Sequence, residues 1–287
     1  MPLDQPQEEN TYVMDAESAT EMARLLNQER LMTQGMGGLF PERADDLTDI
    51  HDILDIGCGP GGWVLDVAYT YPDIQVTGID ISKRMIEYAR AHARVQYLDN
   101  AHFRVKDALK SLDFPDNSFD LVNARFVVGF TPKTAWPSFL KECLRILRPG
   151  GIFRVTEADT SSSTSLAADQ LNMWMPMLLK RAGFTFSPDG RSFVIMTVMR
   201  RLLREAGFEN IQKMAHAIEF APDVEGYSMM VDNIKVTFQT VMPMLVKMGI
   251  TTPEEFERVY NTALLDMLAD DFSTLSFFVT MWGQKPA

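Results

Sequence analysis

Cysteine and histidine are scarce in this chain. Among 287 residues there are only two cysteines, Cys58 and Cys143, and four histidines. Two cysteines do not make a disulfide framework, and no cysteine–histidine spacing is typical of a zinc site. We therefore predict a reducing, cytoplasmic compartment and no metal centre. The chain also has no run of about 18 apolar residues, and its polar beginning is unlike a signal peptide, so we expect no membrane association.

Positive charge is in short supply as well. The chain carries 27 Lys and Arg against 39 Asp and Glu, for a net charge of −12. Because binding to nucleic acid phosphates needs clustered Lys and Arg, we expect no nucleic acid partner. The 46% apolar and 23% charged residues are ordinary for a globular protein of one large domain with attachments.

A glycine-rich stretch stands out from this ordinary composition. Residues 53–63 read Ile-Leu-Asp-Ile-Gly-Cys-Gly-Pro-Gly-Gly-Trp, which predicts a buried parallel strand, a tight turn and the start of a helix. Glycines in the turn permit φ > 0 and let a ligand approach the main chain. The N–H groups at the helix start would favour an anionic or electron-rich ligand group.

Two cofactors fit this turn differently. The spacing Gly57-x-Gly59-x-x-Gly62 also matches the dinucleotide fingerprint, so an NAD-dependent oxidoreductase is an alternative. However, Asp55 would place its charge beside a pyrophosphate, and Pro60 lacks an N–H. A carboxylate here suits a ligand with a positive centre and an amino group. S-adenosylmethionine has both, and its α-carboxylate could take main-chain N–H groups of the turn.

Strand and helix patterns alternate from this stretch to about residue 160. They predict an α/β fold with a doubly wound parallel sheet. The second strand, 74–80, ends at Asp80, where a carboxylate suits the hydroxyls of a ribose; Asp80 could instead cap the helix that follows. After the third strand, Asp107 lies where it could accept a hydrogen bond from an adenine amine.

Four blocks then occur in the order typical of one family. They are Leu54-Asp55-Ile56-Gly57-Cys58-Gly59-Pro60-Gly61, Gly78-Ile79-Asp80-Ile81-Ser82, Asp107-Ala108 with Phe114-Pro115-Asp116-Asn117-Ser118-Phe119-Asp120, and Leu147-Arg148-Pro149-Gly150-Gly151. On these blocks the chain resembles the class I S-adenosylmethionine-dependent methyltransferases of the small-molecule type. The resemblance covers about residues 50–160 and implies a Rossmann-like, doubly wound, seven-stranded sheet. Many members have a histidine pair after the fourth strand, where this chain has Asn-Ala-Arg-Phe-Val at 123–127.

The resemblance also implies roles for single residues. Those expected around the methionine moiety are Asp55, Gly57, Cys58, Gly59 and Gly61. Those expected around the nucleoside are Asp80 on the ribose, Ile81 on the adenine face, Asp107 on the adenine amine and Ala108 with a nearby main-chain N–H. Asn123 and Arg125 are expected just past the fourth strand, facing the cofactor and the reacting methyl. S-adenosylhomocysteine would be the product.

An amphipathic segment precedes the first strand. Apolar residues recur at helical spacing from Asp15, a plausible N-cap, to about Met32, and a glycine-rich run at 35–38 follows. This helix could simply cover the edge of the core. It could also be a lid over the cofactor, hinged at the glycines, in which case three polar residues would contact the cofactor: Tyr12, Gln28 and Thr33.

The second half predicts the end of the sheet and two surplus stretches. We expect a helix at 193–206 and two antiparallel strands at 208–220 and 273–282. The surplus stretches should form helical insertions that cap the acceptor site. The expected segments are an N-terminal helical lid (1–45), a cofactor-binding core (46–160), a helical cap insertion (161–190), a core helix and strand (191–221), a second helical insertion (222–271) and the final core strand (272–287).

The insertions are rich in methionine. Of the 19 methionines, 13 follow residue 160, with aromatic residues among them. Such residues suit an aromatic or lipophilic small-molecule acceptor, although they could equally form a helix face in the core. An apolar stripe from Val231 to Met248 could pack on the domain or form a homodimer, and Pro243 should kink or interrupt its helix.

Catalytic residues have no motif in this sequence. His216, in the sixth predicted strand near the insertions, is the best candidate for a general base, with Glu157, Asp159 and Tyr12 as outsiders. Methyl transfer is an in-line displacement for which alignment alone can suffice. The predicted function is therefore S-adenosylmethionine-dependent O-, N- or C-methylation of a small metabolite. The alternatives are an NAD-dependent oxidoreductase and a non-catalytic cofactor-binding module that contacts another protein.

Overall fold

The computed structural model describes Met14 and residues 17–287. Within these residues, seven strands form one sheet. The strands are β1 (Asp52–Ile56), β2 (Gln75–Asp80), β3 (Ala101–Val105), β4 (Phe119–Arg125), β5 (Leu147–Ser163), β6 (Glu209–Phe220) and β7 (Thr274–Gln284). The helices are α1 (Ala19–Gly35), α2 (Gly62–Thr70), α3 (Lys83–Val95), α4 (Trp136–Ile146), α5 (Leu166–Ala182), α6 (Ile195–Ala206), α7 (Tyr227–Lys247) and α8 (Pro253–Asp266). Short 3₁₀ turns occur at Pro41–Arg43 and Val127–Gly129.

The strand order is β3-β2-β1-β4-β5-β7-β6. Strands β1 to β5 run parallel to one another, and β7 is antiparallel to both β5 and β6. The predicted Rossmann-like, doubly wound, seven-stranded α/β fold is confirmed. The two strands that end the sheet, β6 and β7, pair antiparallel to each other as predicted. Because β7 is antiparallel to both of its neighbours, β6 runs parallel to β5. The order reverses between β1 and β4, and such a switch point opens a crevice at the carboxyl ends of the strands.

Both faces of the sheet are covered by helices. Along β1, Leu54 and Ile56 belong to the cluster that includes α4 and α6, whereas Ile53 belongs to the cluster with α2 and α3. All three side chains are almost fully buried. This explains why β1 reads as a continuous apolar run rather than an alternating one.

Helix α1 begins later than the sequence suggested. Its N-cap is Ser18, whose side chain accepts the Glu21 N–H at 3.4 Å. The predicted cap, Asp15, lies outside the described residues. The helix extends to Gly35, and its buried Leu31 and Met32 pack in the same apolar cluster as residues of α7.

The two insertions form one helical unit. Helix α5 from the first insertion packs on α7 and α8 from the second. At their centre the Trp174 and Phe256 rings are stacked with centroids 5.7 Å apart. Leu178 is also buried there. The alternative that this helix face belongs to the core is therefore correct for Trp174 and Leu178. Met173, by contrast, is 41% exposed.

The apolar stripe of α7 belongs to this same unit. Val231, Phe238, Val241 and Leu245 are buried within it, so the stripe packs inside the chain. Of the two predicted effects of Pro243, a kink or an interruption, the interruption is wrong, because the helix continues to Lys247. Pro243 lacks the N–H that would bond to the carbonyl four residues earlier. The helix tolerates this loss because burial of the stripe stabilises the helix on both sides of Pro243. Across Met14 and 17–287, no helix has the length and apolarity needed to cross a membrane.

Candidate cofactor and active site

A cavity of about 140 Å³ lies at the carboxyl ends of the central strands. Its wall comes from the glycine turn after β1, the ends of β2 and β4, the loop after β3, and α1. Ten residues predicted from the sequence line it: Asp55, Gly57, Cys58, Gly59, Asp80, Ile81, Asp107, Ala108, Arg125 and Gln28. Segments far apart in the chain therefore converge on one cavity.

The glycine turn is sterically constrained at Gly57. This residue has φ +68°, and a Cβ there would lie 2.9 Å from the Phe130 ring. Gly59 also has a positive φ, +53°, but an added Cβ would meet only Leu25, at 3.6 Å. Glycine is thus required at 57 for space and at 59 for backbone conformation.

The N–H groups of the turn are largely occupied. Cys58 N–H donates to the Ile79 carbonyl at 2.9 Å, Gly59 N–H to Asp80 Oδ2 at 2.9 Å, and Gly61 N–H to the Cys58 carbonyl at 3.0 Å. Pro60 has none. These three N–H groups are therefore not free for an anionic ligand. A pyrophosphate at the turn would have none of these three N–H groups available, which argues against a dinucleotide.

Asp55 is the most buried carboxylate of the cavity wall. It is 5% exposed, and its Oδ1 accepts the Asn123 Nδ2–H at 2.8 Å. Burial raises the pKa of Asp55 to about 7, against the lowering effects of Arg125, of the Asn123 hydrogen bond and of Arg154, while Glu29 raises the pKa further. The cavity thus contains a carboxyl group that a cationic ligand would hold ionised.

Asn123 does not contact the cavity. It lies inside β4 with no exposed surface and is absent from the cavity wall. Besides donating to Asp55, its Oδ1 accepts a hydrogen bond from Arg154 Nη1 at 2.8 Å. The structure does not place Asn123 on the cavity wall, where it was expected, because its side chain is buried in β4 and bonded to Asp55 and Arg154.

Asp80 serves the turn as well as the cavity. Its Oδ2 accepts the Gly59 N–H and its Oδ1 accepts the Ser82 N–H at 2.8 Å. Burial raises its pKa. The cap of α3 is Ser82, whose Oγ accepts the Met85 N–H at 3.1 Å, so Asp80 is not the helix cap that was considered.

Asp107 lines the cavity from the loop after β3. Its Oδ1 accepts the Leu109 N–H at 2.9 Å, and Lys110 Nζ is 3.5 Å from its Oδ2. Lys106 also lines the cavity and pairs with Asp113. The Asp107 carboxylate is thus held on a short loop after β3, beside the Ala108 main chain.

Arg125 joins the end of β4 to α1. Its guanidinium pairs with Glu29, donates to Thr33 Oγ1 at 3.1 Å, and lies 5.6 Å from the centre of the Trp63 ring. Thr33 in turn donates to Glu29 Oε1 at 2.7 Å. Thr33 is not part of the cavity wall, so its contact with the cavity is through Arg125 and Glu29 rather than direct.

Two other predicted site residues, Gly61 and His216, lie away from the cavity wall. An added Cβ at Gly61 would lie 2.8 Å from Ala89 Cβ and 2.7 Å from the Phe103 ring, so Gly61 permits close helix packing and does not face the cavity. Tyr12 lies outside the described residues. His216 is buried in β6, where its Nε2 is 3.1 Å from Thr280 Oγ1. Burial lowers its pKa, and it is not part of the cavity wall.

Glu157 is a second buried carboxyl group near the site. It is 1% exposed, and its Oε1 accepts the Val128 N–H at 2.9 Å while its Oε2 has no hydrogen-bond partner. Burial raises its pKa to about 8, so the group is neutral at pH 7. It supports the turn that follows Phe126 but does not line the cavity.

Several lining residues were missed by the sequence analysis. Phe126 and Phe130 come from the segment after β4, and Leu25 and Glu29 come from α1. The α1 pair could have been found, because Leu25, Gln28 and Glu29 share one helix face at spacings of three and four. Phe126 has φ +56°, which no sequence pattern reveals. Among the described residues, no cluster of three or more His, Cys, Asp or Glu could hold a metal ion.

The fold and the acidic cavity are compatible with a nucleoside cofactor, and comparisons with known proteins show which enzymes this chain resembles. A family model described as "Methyltransferase domain" matches residues 53–151. A demethylmenaquinone methyltransferase of Lactococcus lactis is 29% identical over 187 residues, covering 61% of this chain and 72% of that protein. A 27-O-demethylrifamycin SV methyltransferase of Amycolatopsis mediterranei is 37% identical over 152 residues. That match covers 52% of this chain and 51% of the relative, so the chain spans about half of the relative's length.

A solved structure has the same fold. It is a Haemonchus contortus phosphoethanolamine N-methyltransferase 2 in complex with S-adenosyl-L-methionine, with a TM-score of 0.55 and 19% identity, covering 93% of this chain and 57% of that one. The matched methyltransferase domain, these relatives and the shared fold support a class I S-adenosylmethionine-dependent methyltransferase. It is an enzyme that uses S-adenosylmethionine and releases S-adenosylhomocysteine. Neither the oxidoreductase nor the non-catalytic alternative receives support.

Proposed function

We propose that this enzyme methylates a small lipophilic, aromatic acceptor of specialised metabolism, and that the acceptor binds between the cavity and the helical cap. The observation that carries this proposal is the position of Phe126. Its ring lines the cofactor cavity, and it also packs in the apolar cluster of the cap, 6.0 Å from the Phe278 ring. An acceptor held against Phe126 would contact both units.

The residues of the cavity fit the donor. Bound S-adenosylmethionine supplies an electrophilic methyl group on a sulfonium. Asp55, the carboxylate deepest in the wall, would accept the α-ammonium, and Arg125 is the nearby cation for the α-carboxylate. Asp80 and Asp107 sit at the ends of neighbouring strands, with spare carboxylate lone pairs for the ribose hydroxyls and the adenine amine.

Charge and polarity of the wall bear on the acceptor. Among the described lining residues, four are acidic (Glu29, Asp55, Asp80 and Asp107) and two are basic (Lys106 and Arg125). Both cations are paired with carboxylates. A phosphorylated acceptor would therefore meet net negative charge. The apolar side chains of Leu25, Phe126 and Phe130 suit an uncharged ring instead.

Two relatives are consistent with this class of acceptor. The Lactococcus protein is named for demethylmenaquinone and the Amycolatopsis protein for a demethylrifamycin. Alignment of donor and acceptor by the two phenylalanines and α1 would account for most of the rate. In the proposed arrangement α1 is the lid over the donor, and helices α5, α7 and α8 are the cap over the acceptor.

Labelled methyl transfer tests the acceptor class. Purified enzyme and methyl-labelled S-adenosylmethionine would be incubated with hydroxylated naphthoquinones and aromatic polyketides, and in parallel with phosphoethanolamine. We expect label in the lipophilic compounds. Transfer to phosphoethanolamine but to none of the aromatic compounds would overturn the proposal.

The variant Phe126→Ala tests the position of the acceptor. It should lower kcat/KM for an active acceptor by about tenfold or more, since a buried aromatic contact of a few kcal/mol is lost. Binding of S-adenosylhomocysteine should change far less. Phe277→Ala removes a 39% exposed ring on β7 and provides the matched control. An equal loss of donor and acceptor binding would show that Phe126 does not discriminate between them.

A further inference from the structure

Three buried side chains link the segment after α1 to the carboxylate of the cofactor cavity. Glu42, in the Pro41–Arg43 turn, accepts a hydrogen bond from Arg154 Nε at 2.5 Å. Arg154 Nη1 donates to Asn123 Oδ1 at 2.8 Å, and Asn123 Nδ2 donates to Asp55 Oδ1 at 2.8 Å. We propose that Glu42, Arg154 and Asn123 are positioning residues that fix Asp55 for the α-ammonium of the cofactor. This inference rests on the proposed role of Asp55.

Two members of this hydrogen-bonded series, Glu42 and Arg154, carry charges that are costly to bury. The side chains of Arg154 and Glu42 are 2% and 3% exposed. A buried ion pair contributes little net stability, because desolvation offsets the attraction. Arg154 is held rigidly, with Glu42 on one edge of its guanidinium, Asn123 on the other, and the Phe40 ring 5.6 Å from its centre.

Arg154 determines which way the Asn123 amide points. A guanidinium can only donate, so it must face the amide oxygen. The amide nitrogen is then turned toward Asp55 and occupies its Oδ1. This leaves Oδ2 as the oxygen available to the cavity. Without Arg154, the Asn123 amide could turn over and set a carbonyl oxygen against the carboxylate.

The charges around Asp55 agree with this role. Arg125 from β4 and Arg154 from β5 favour the carboxylate, whereas Glu29 from α1 opposes it. His216 of β6 lies near the Arg154–Glu42 pair, and burial lowers its pKa. Loss of Arg154 would therefore both free the amide and raise the pKa of Asp55.

Binding of two ligands distinguishes a role in positioning Asp55 from a role in supporting the whole cavity. S-adenosylhomocysteine has the α-ammonium, whereas methylthioadenosine has the same nucleoside and no amino acid part. The double variant Glu42→Met/Arg154→Met removes the pair without leaving one charge unpaired, a change that buried pairs commonly tolerate. We expect the Kd of S-adenosylhomocysteine to rise about tenfold and that of methylthioadenosine to change by less than about twofold.

The dependence on pH gives a second readout. In the parent enzyme, affinity for S-adenosylhomocysteine should rise between about pH 6 and 8 as Asp55 ionises, and in the double variant the midpoint should move upward. Asn123→Asp provides an independent variant if the double variant does not fold. It keeps the contact with Arg154, cannot donate to Asp55, and places a second carboxylate beside it, so the same selective loss is expected.

A matched control lies on the same two strands. Arg148 of β5 and Asp52 of β1 form a pair at 2.8 Å at the opposite end of the sheet, and Arg148→Gln/Asp52→Asn should leave both ligands unaffected. The inference is overturned if Glu42→Met/Arg154→Met or Asn123→Asp weakens the binding of both ligands equally, or weakens the binding of neither. Asp55→Asn separates it from the proposed function: if that variant binds S-adenosylhomocysteine normally, the role assigned to Asp55 is itself wrong.

Discussion

Arg125 and Glu29 form an ion pair that joins β4 to α1 across the wall of the cofactor cavity. Their side chains are 6% and 18% exposed, and Thr33 contacts both. The pair therefore ties the helix over the cavity to the sheet beneath it. It also places a carboxylate within the electrostatic range of Asp55, whose pKa it raises.

Glu29→Gln should loosen this tie. Arg125 would lose a charged partner, and α1 would be held to β4 less strongly. We expect S-adenosylhomocysteine to dissociate up to about tenfold faster, the effect of one charge-assisted hydrogen bond. Stopped-flow displacement measures the rate. Glu205→Gln, which removes an exposed pair with Arg201, is the control, and an equal rate in both variants would refute the role of the Arg125–Glu29 pair.

Asp80→Ala should weaken cofactor binding and also cost stability. The ribose would lose its acceptor, and we expect affinity for S-adenosylhomocysteine to fall by about tenfold or more. Because Asp80 also accepts the Gly59 and Ser82 N–H groups, unfolding free energy should fall by about 1–3 kcal/mol. Calorimetric titration and urea denaturation measure the two effects. Undiminished affinity would remove the ribose assignment.

Glu157 should make stability depend on pH. Its folded-state pKa, about 8, is above the ordinary 4.5, so the native state holds the proton more tightly than the unfolded chain. This contribution is complete below the unfolded pKa and is lost as pH rises toward 8, by up to about 1.4 kcal/mol per pH unit. Glu157→Gln cannot titrate, so it removes this dependence of stability on pH. Its amide nitrogen would occupy the position of Oε2, which has no hydrogen-bond partner.

Urea denaturation of the parent and Glu157→Gln at pH 5, 6.5 and 8 tests this. The variant should gain relative stability at each step upward. Parallel stability curves would show that Glu157 is not neutral in the native state.

Gly61→Ala should destabilise the fold more than Gly150→Ala. Both glycines have positive φ, +85° and +77°, but an added Cβ is crowded by Ala89 and Phe103 at position 61 and meets nothing within 4 Å at position 150. We expect costs of about 2–4 and about 1 kcal/mol, the difference being overpacking. Thermal or urea unfolding measures both, and equal costs would mean that the α2–α3 contact relaxes freely.

The alternating core was predictable because its signals are local. The apolar run at Ile53–Ile56, the glycines after it and the acid that ends β2 each determine their own conformation. Ten lining residues followed from these signals and from the family resemblance. The bounds of β5 did not, since the Pro-Gly-Gly run at 149–151 reads as a loop but lies within the strand. There the Gly150 N–H donates to the Lys285 carbonyl at 2.9 Å, and the Lys285 N–H donates to the Gly151 carbonyl at 2.8 Å.

The remaining errors concern contacts between distant segments. Asn123 and Thr33 both belong to the hydrogen-bond network of the site, yet neither lines the cavity. Whether a polar side chain faces a ligand or another side chain depends on strand register and helix placement, which the residue itself does not encode. For the same reason the sequence could not separate Gly61, needed for packing, from Gly57 and Gly59.

The stacked rings of Trp174 and Phe256 have a consequence for the evolution and engineering of acceptor choice. They come from insertions after different strands, yet each buries the other. Exchanging one insertion with that of another methyltransferase would expose a large aromatic face and leave the partner helix unpacked. The two insertions should therefore be inherited, and transplanted, as a matched pair.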